Sequence, residues 1–93
     1  MRPETVRYIR KEVLDLNQGD FARLVGVSRN TVVNWEIGRS GVPDLQAGII
    51  RQLEQEARRR ENIDEWAKKL LALAVGGLFL EMLSRLFRQD DET

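Results

Sequence analysis

The chain has 93 residues, with 15 Lys and Arg against 15 Asp and Glu, no histidine and no cysteine. That length suits one small domain with an appendage, and the missing residue types exclude disulfides, thiolate metal sites and the commonest general base. No Gly-rich phosphate loop or nucleophile elbow takes their place, so neither an enzyme nor a bound cofactor or metal is expected.

The zero net charge is unevenly spread. Residues 1–60 carry eleven Lys and Arg against eight Asp and Glu, a balance of +3; residues 61–93 carry four against seven, a balance of −3. A mildly basic front and an acidic tail ending Gln-Asp-Asp-Glu-Thr are the asymmetry to explain. The first residues, Met-Arg-Pro-Glu-Thr-Val-Arg-Tyr, lack the apolar core of a secretory signal, so a cytoplasmic location is expected.

Pro3 can open a helix, and Val6, Ile9, Val13 and Leu14 recur at helical spacing, which predicts a first helix over 3–14. Asn17 can cap a second, in which Phe21, Leu24 and Val25 share a face and which Gly26 stops. Ser28 caps a third through about residue 37, and Gly38 ends it. Arg-Ser-Gly-Val-Pro-Asp reads as a loop. Pro43 or Asp44 then starts a fourth helix with the apolar stripe Leu45, Ile49, Ile50, Leu53 and Ala57. The run at 54–61 offers Glu54–Arg58 and Glu56–Arg60 pairs at four-residue spacing and reads as a solvated helix end and hinge, with a phosphate-binding basic patch as the alternative. Asn62 with Glu65 resembles a capping box and starts a last helical segment. No stretch alternates long enough for a strand, so the chain reads as all-α.

The stretch around Gly26 carries the functional signal. A Gly at the break can take the left-handed conformation, and the small Ala22 one turn earlier lets the next helix cross closely. On the third helix, Val32 and Trp35 are placed inward with Leu24 and Val27, leaving Arg29, Asn30, Val33, Asn34 and Ile37 outward. Arg reads guanine and Asn reads adenine through paired hydrogen bonds, and Val can meet a thymine methyl. A helix-turn-helix used only for packing, with these residues facing water, is the plainer alternative.

The run Leu16-Asn17-Gln18 … Phe21-Ala22 … Gly26-Val27-Ser28 … Thr31-Val32 … Trp35-Glu36 … Gly38 resembles the Cro/repressor-type (Xre) helix-turn-helix family over about residues 5–57. The resemblance implies a small lambda-repressor-like helix-turn-helix bundle of four to five helices. It places Arg29, Asn30 and Asn34 at base-reading positions and Ser28, Thr31 and Arg39 on the DNA backbone. It gives Gln18 a phosphate contact and the bracing of the base-reading side chains. It also pairs Glu36 with a first-helix position that matches Lys11, which lacks the two-pronged fork of an Arg. Ile9-Arg10-Lys11 … Asp20-Phe21-Ala22-Arg23-Leu24 … Asn34-Trp35-Glu36 is similar to antitoxin-type members, which repress their own operon and hold a toxin.

Residues 66–87 read WAKKLLALAVGGLFLEMLSRLF. The uncharged stretch from Leu70 to Leu80 is far short of the roughly twenty residues a spanning helix needs, so membrane insertion is not expected. Ile63, Trp66, Ala67, Leu70, Leu71 and Ala74 share one helical face, and Val75, Phe79, Met82, Leu83 and Leu86 a second, the handover falling at Gly76-Gly77. A segment apolar all round is normally buried, and a 60-residue domain can cover one side of it. The expected organisation is a DNA-binding domain over 1–60 and a hydrophobic C-terminal helical extension over 61–93. In that extension Trp66, Leu70, Leu73, Phe79, Leu83 and Leu86 form a homodimer or partner interface. A helix belonging only to the chain's own core, and a groove for a different protein such as a toxin, stay open. The expected function is a dimeric, sequence-specific transcriptional repressor bound to double-stranded DNA; the alternative is a protein-interaction module.

Overall fold

The computed structural model describes residues 1–75, and every regular element among them is helical. Pro3 sits in the first turn of α1 (Pro3–Tyr8), where its missing N–H costs nothing. The helix then widens into a π-helical turn, Ile9–Val13, with the Leu14 N–H donating to the Ile9 carbonyl at 2.9 Å. The single helix expected over 3–14 is thus two consecutive pieces. Together they bury Val6, Ile9, Val13 and Leu14.

Asn17 starts α2 (Gln18–Val25), its side-chain oxygen accepting from the Asp20 N–H at 2.7 Å. Gly26 ends it with φ of 77°, in the left-handed region. Ser28 then caps α3 (Arg29–Glu36), accepting from the Thr31 N–H at 3.1 Å. The two helices pack against each other, and Ala22 is buried. Gly38, also at φ of 77°, turns the chain away from α3, and a Cβ there would lie 3.5 Å from the Pro3 ring.

The fourth helix, α4 (Asp44–Arg58), opens at Pro43, whose carbonyl accepts from the Ala47 N–H at 2.9 Å. Ile49, Ile50, Leu53 and Ala57 are buried as the stripe requires, but Leu45 stays 68% exposed, so burial begins a turn later than expected. At its far end the Glu54–Arg58 and Glu56–Arg60 pairs form at 2.9 and 3.3 Å. Glu54 first, and Tyr8 second, raise the Arg58 pKa above its ordinary value. Asn62 precedes α5 (Ile63–Val75). Its amide donates to the Glu65 carboxylate at 3.2 Å, so the two residues expected to box the helix start bond through their side chains.

The core is continuous through the five described helices. Phe21, Leu24, Val25 and Val32 belong to one buried cluster with Val6, Ile9, Leu14, Trp35, Ile50 and Leu53. Leu70 joins the same cluster, and α5 lies against α2. A boundary at residue 60 therefore does not separate two packing units. Leu70, expected at a dimer or partner interface, is 2% exposed and belongs to the chain's own core, because spacing of three and four aligns it with Ala67 and Trp66 on the inner side of α5. Trp66 is partly buried against that core, with the Arg60 guanidinium 4.8 Å from its ring centroid. The expected interface residues Phe79, Leu83 and Leu86, and the side chain of Leu73, lie outside the described residues. No described helix is long and apolar enough to cross a membrane.

Candidate nucleic-acid interface

Period alone fixes which side of α3 is free. Val32 and Trp35 enter the core, so the opposite side presents Arg29, Asn30, Val33, Asn34 and Ile37. Arg29, Asn30 and Ile37 are exposed, whereas Val33 and Asn34 are half-buried. All four expected base-reading residues, Arg29, Asn30, Val33 and Asn34, are therefore on one face within about two turns.

Behind this face lies a buried ion pair. The Arg10 Nε donates to Glu36 Oε2 at 2.6 Å and its Nη2 to Oε1 at 3.0 Å, while Nη1 donates to the Leu16 carbonyl at 2.9 Å. The two side chains are only 10% and 6% exposed. A planar guanidinium meeting both carboxylate oxygens is the strong, geometrically selective form of this contact. The partner of Glu36 is thus Arg10 and not the expected Lys11, which points to solvent. The sequence does hold the signal: Arg10 is four residues from both Val6 and Leu14 and so shares their buried face, while Lys11 falls on the far side.

Gln18 connects the pair, which includes the last residue of α3, to the first residue of that helix. Its Nε2 donates to Glu36 Oε1 at 3.2 Å and its Oε1 accepts from Arg29 Nη2 at 3.3 Å. A carboxylate can only accept and a guanidinium can only donate, so the amide has one workable orientation. The chain Arg10–Glu36–Gln18–Arg29 thereby runs from the core to the first residue of α3. The outer link is exposed and adds little stability, about 1 kcal/mol or less, but it restricts where the Arg29 fork sits. A recess of about 430 Å³ opens beside it, lined by Arg10, Asn17, Gln18, Gly19 and Arg29. The N–H groups of Gln18 and Gly19 have no intrahelical acceptor, so with Arg29 they suit an anion.

The remaining expected backbone contacts surround this face. The Ser28 and Thr31 hydroxyls lie 2.9 Å apart at the start of α3. Arg39 is exposed just past Gly38, its main-chain N–H donating to the Asn34 carbonyl at 2.9 Å while its side chain enters no ion pair among the described residues. Chemically, the assembly offers cationic and amide groups that can meet base edges, flanked by hydroxyl, amide and guanidinium donors for phosphate oxygens. Among the described residues, no cluster of His, Cys, Asp or Glu is arranged to hold a metal ion.

These features define a small all-α bundle with a polar helix face braced from its core. Comparison with models of known protein families, with curated proteins and with solved structures finds no match for this chain.

Proposed function

We propose that this chain is a sequence-specific DNA-binding regulator of the Cro/repressor helix-turn-helix type, acting as a dimer on a pseudo-palindromic operator. The observation that supports the reading is the Arg10–Glu36–Gln18–Arg29 chain, which links the core to an exposed guanidinium at the start of α3, a group whose fork suits a guanine edge. In the major groove, Arg29, Asn30 and Asn34 read base edges and Val33 meets a thymine methyl. The recess at Gln18, together with Ser28, Thr31 and Arg39, holds phosphates and fixes the register. Regulation follows by occupancy, which for an operator overlapping a promoter is repression.

Dimerisation rests on the apolar surplus of the C-terminal third. With Leu70 and Ala67 consumed by the core, the residues left for a second copy are Leu73, Phe79, Leu83 and Leu86, with the outer edge of Trp66. A two-fold axis would set two α3 helices about 34 Å apart, one turn of DNA. The exposed Ile37, at 63%, favours a second reading in which the same face serves a protein partner, as in an antitoxin.

Binding to specific and to random duplexes over a salt series tests the reading. Arg29→Ala lowers specific affinity by about 1–3 kcal/mol and relaxes one position of the site, whereas Arg39→Ala weakens all duplexes alike and flattens the salt slope by about one. Equal losses on specific and random DNA for Arg29→Ala would remove its base-reading role.

A further inference from the structure

A second groove, of about 220 Å³, runs between the start of α2 and α5. Its floor is apolar, from Leu16, Ala67 and Leu71, and its rim carries Asp15, Asp20 and Asp64 with Lys68 at one edge. Asp20 is already engaged by Arg23 and by the Asn17 amide. Asp15 and Asp64 enter no ion pair among the described residues. Both also border a neighbouring depression that adds Glu12 and Glu61, with Lys11 the cation there. This part of the surface is net anionic and disfavours nucleic acid, and a segment that is apolar and cationic together complements it.

We infer that in the dimer proposed above the groove takes residues 82–88 of a second copy, Met-Leu-Ser-Arg-Leu-Phe-Arg. The inference rests on the dimer reading and names the surface that reading needs. Within residues 61–93 two stretches join cations to large apolar side chains: 66–71, which itself supplies Ala67, Lys68 and Leu71 to the groove wall, and 82–88; Leu70 to Leu80 has no charge, and residues 89–93 have no cation. Elsewhere, the Arg58-Arg59-Arg60 run is tied to Glu54 and Glu56. Leu83, Leu86 and Phe87 match the apolar floor, and Arg85 and Arg88 match Asp15 and Asp64. One such contact is small, but two-fold symmetry repeats it, each chain giving its segment and receiving its partner's.

The chain has no cysteine, so an introduced pair can react only with itself. The full-length protein carrying Leu71→Cys and Leu86→Cys, oxidised mildly, is expected to run as a dimer without reductant, with peptide mapping placing the disulfide between position 71 of one copy and position 86 of the other; dimers linked only 71 to 71 or 86 to 86 count against the inference. A monomer-sized product linked between positions 71 and 86 overturns the inference by placing the chain's own segment in the groove. No link in a protein that sediments as a dimer overturns the groove assignment and leaves the dimer reading standing. A wild-type chain that sediments as a monomer defeats the dimer reading itself, and this inference with it. As a second measure, Asp64→Arg weakens the dimer about three- to tenfold and Arg88→Asp in the same chain restores it; loss without rescue counts against the pairing.

Discussion

Replacing Arg10 by Met removes three hydrogen bonds at once and leaves their acceptors in place. The Glu36 carboxylate, 6% exposed, keeps only the Gln18 amide, and the Leu16 carbonyl loses its guanidinium donor. Breaking one side of a buried pair in this way costs about 3–5 kcal/mol, because the remaining charge stays desolvated. A domain of this size has about 5–15 kcal/mol in all, and each kcal/mol moves its midpoint by about 4–8 °C. The expected fall in Tm is therefore at least about 12 °C. Thermal and urea unfolding followed by circular dichroism measure it, with Lys11→Met as the comparison, expected within about 0.5 kcal/mol of wild type. Replacing both partners, Arg10→Met with Glu36→Met, recovers most of the loss, since no unpaired charge remains. An Arg10→Met protein within about 1 kcal/mol of wild type, or a Lys11→Met protein equally destabilised, would refute the assignment of the buried pair.

Two glycines should respond in opposite directions. Gly26→Ala forces a Cβ into the left-handed region and costs about 1–2 kcal/mol, whereas Gly48, inside α4 with nothing within 4 Å of a built Cβ, gains about 0.5–1 kcal/mol on replacement by Ala; urea midpoints of the two variants decide this. Leu70→Ala should destabilise the monomeric fold by about 2–5 kcal/mol, measured on a chain ending at Val75 so that any dimer contact from residues 76–93 is removed. A chain ending at Arg60 loses the buried Ala67 and Leu70, so its unfolding midpoint falls well below that of the chain ending at Val75.

Helix ends were the most legible part of the fold because single residues announce them. Asn17 and Ser28 accept from the N–H three residues on, and Gly26 and Gly38 take the backbone angles that other residues avoid. The polar side of α3 was legible for the same reason: once Val32 and Trp35 are assigned inward, geometry leaves little choice for Arg29 and Asn30. What a short local pattern does not carry is a change of helical pitch or a long-range partner. The π-helical turn at Ile9–Val13 has no distinctive residue type, and nothing local in α5 says that Leu70 will join this chain's own core rather than a second chain. Arg10 is the instructive case. Its place among Val6, Ile9 and Leu14 was readable from spacing, and its two-pronged chemistry suits Glu36 better than a lysine, yet the family pattern pointed one residue further on.

Selection of binding sites from a random duplex pool with the full-length protein tests the central claim most directly. The account predicts an inverted repeat with half-site centres about 10–11 base pairs apart, or a multiple of that, and loss of one defined position of the site for Arg29→Ala. Failure to enrich any sequence at low salt would contradict it, and the exposed side of α3, with Ile37 at its end, would then be a surface for protein.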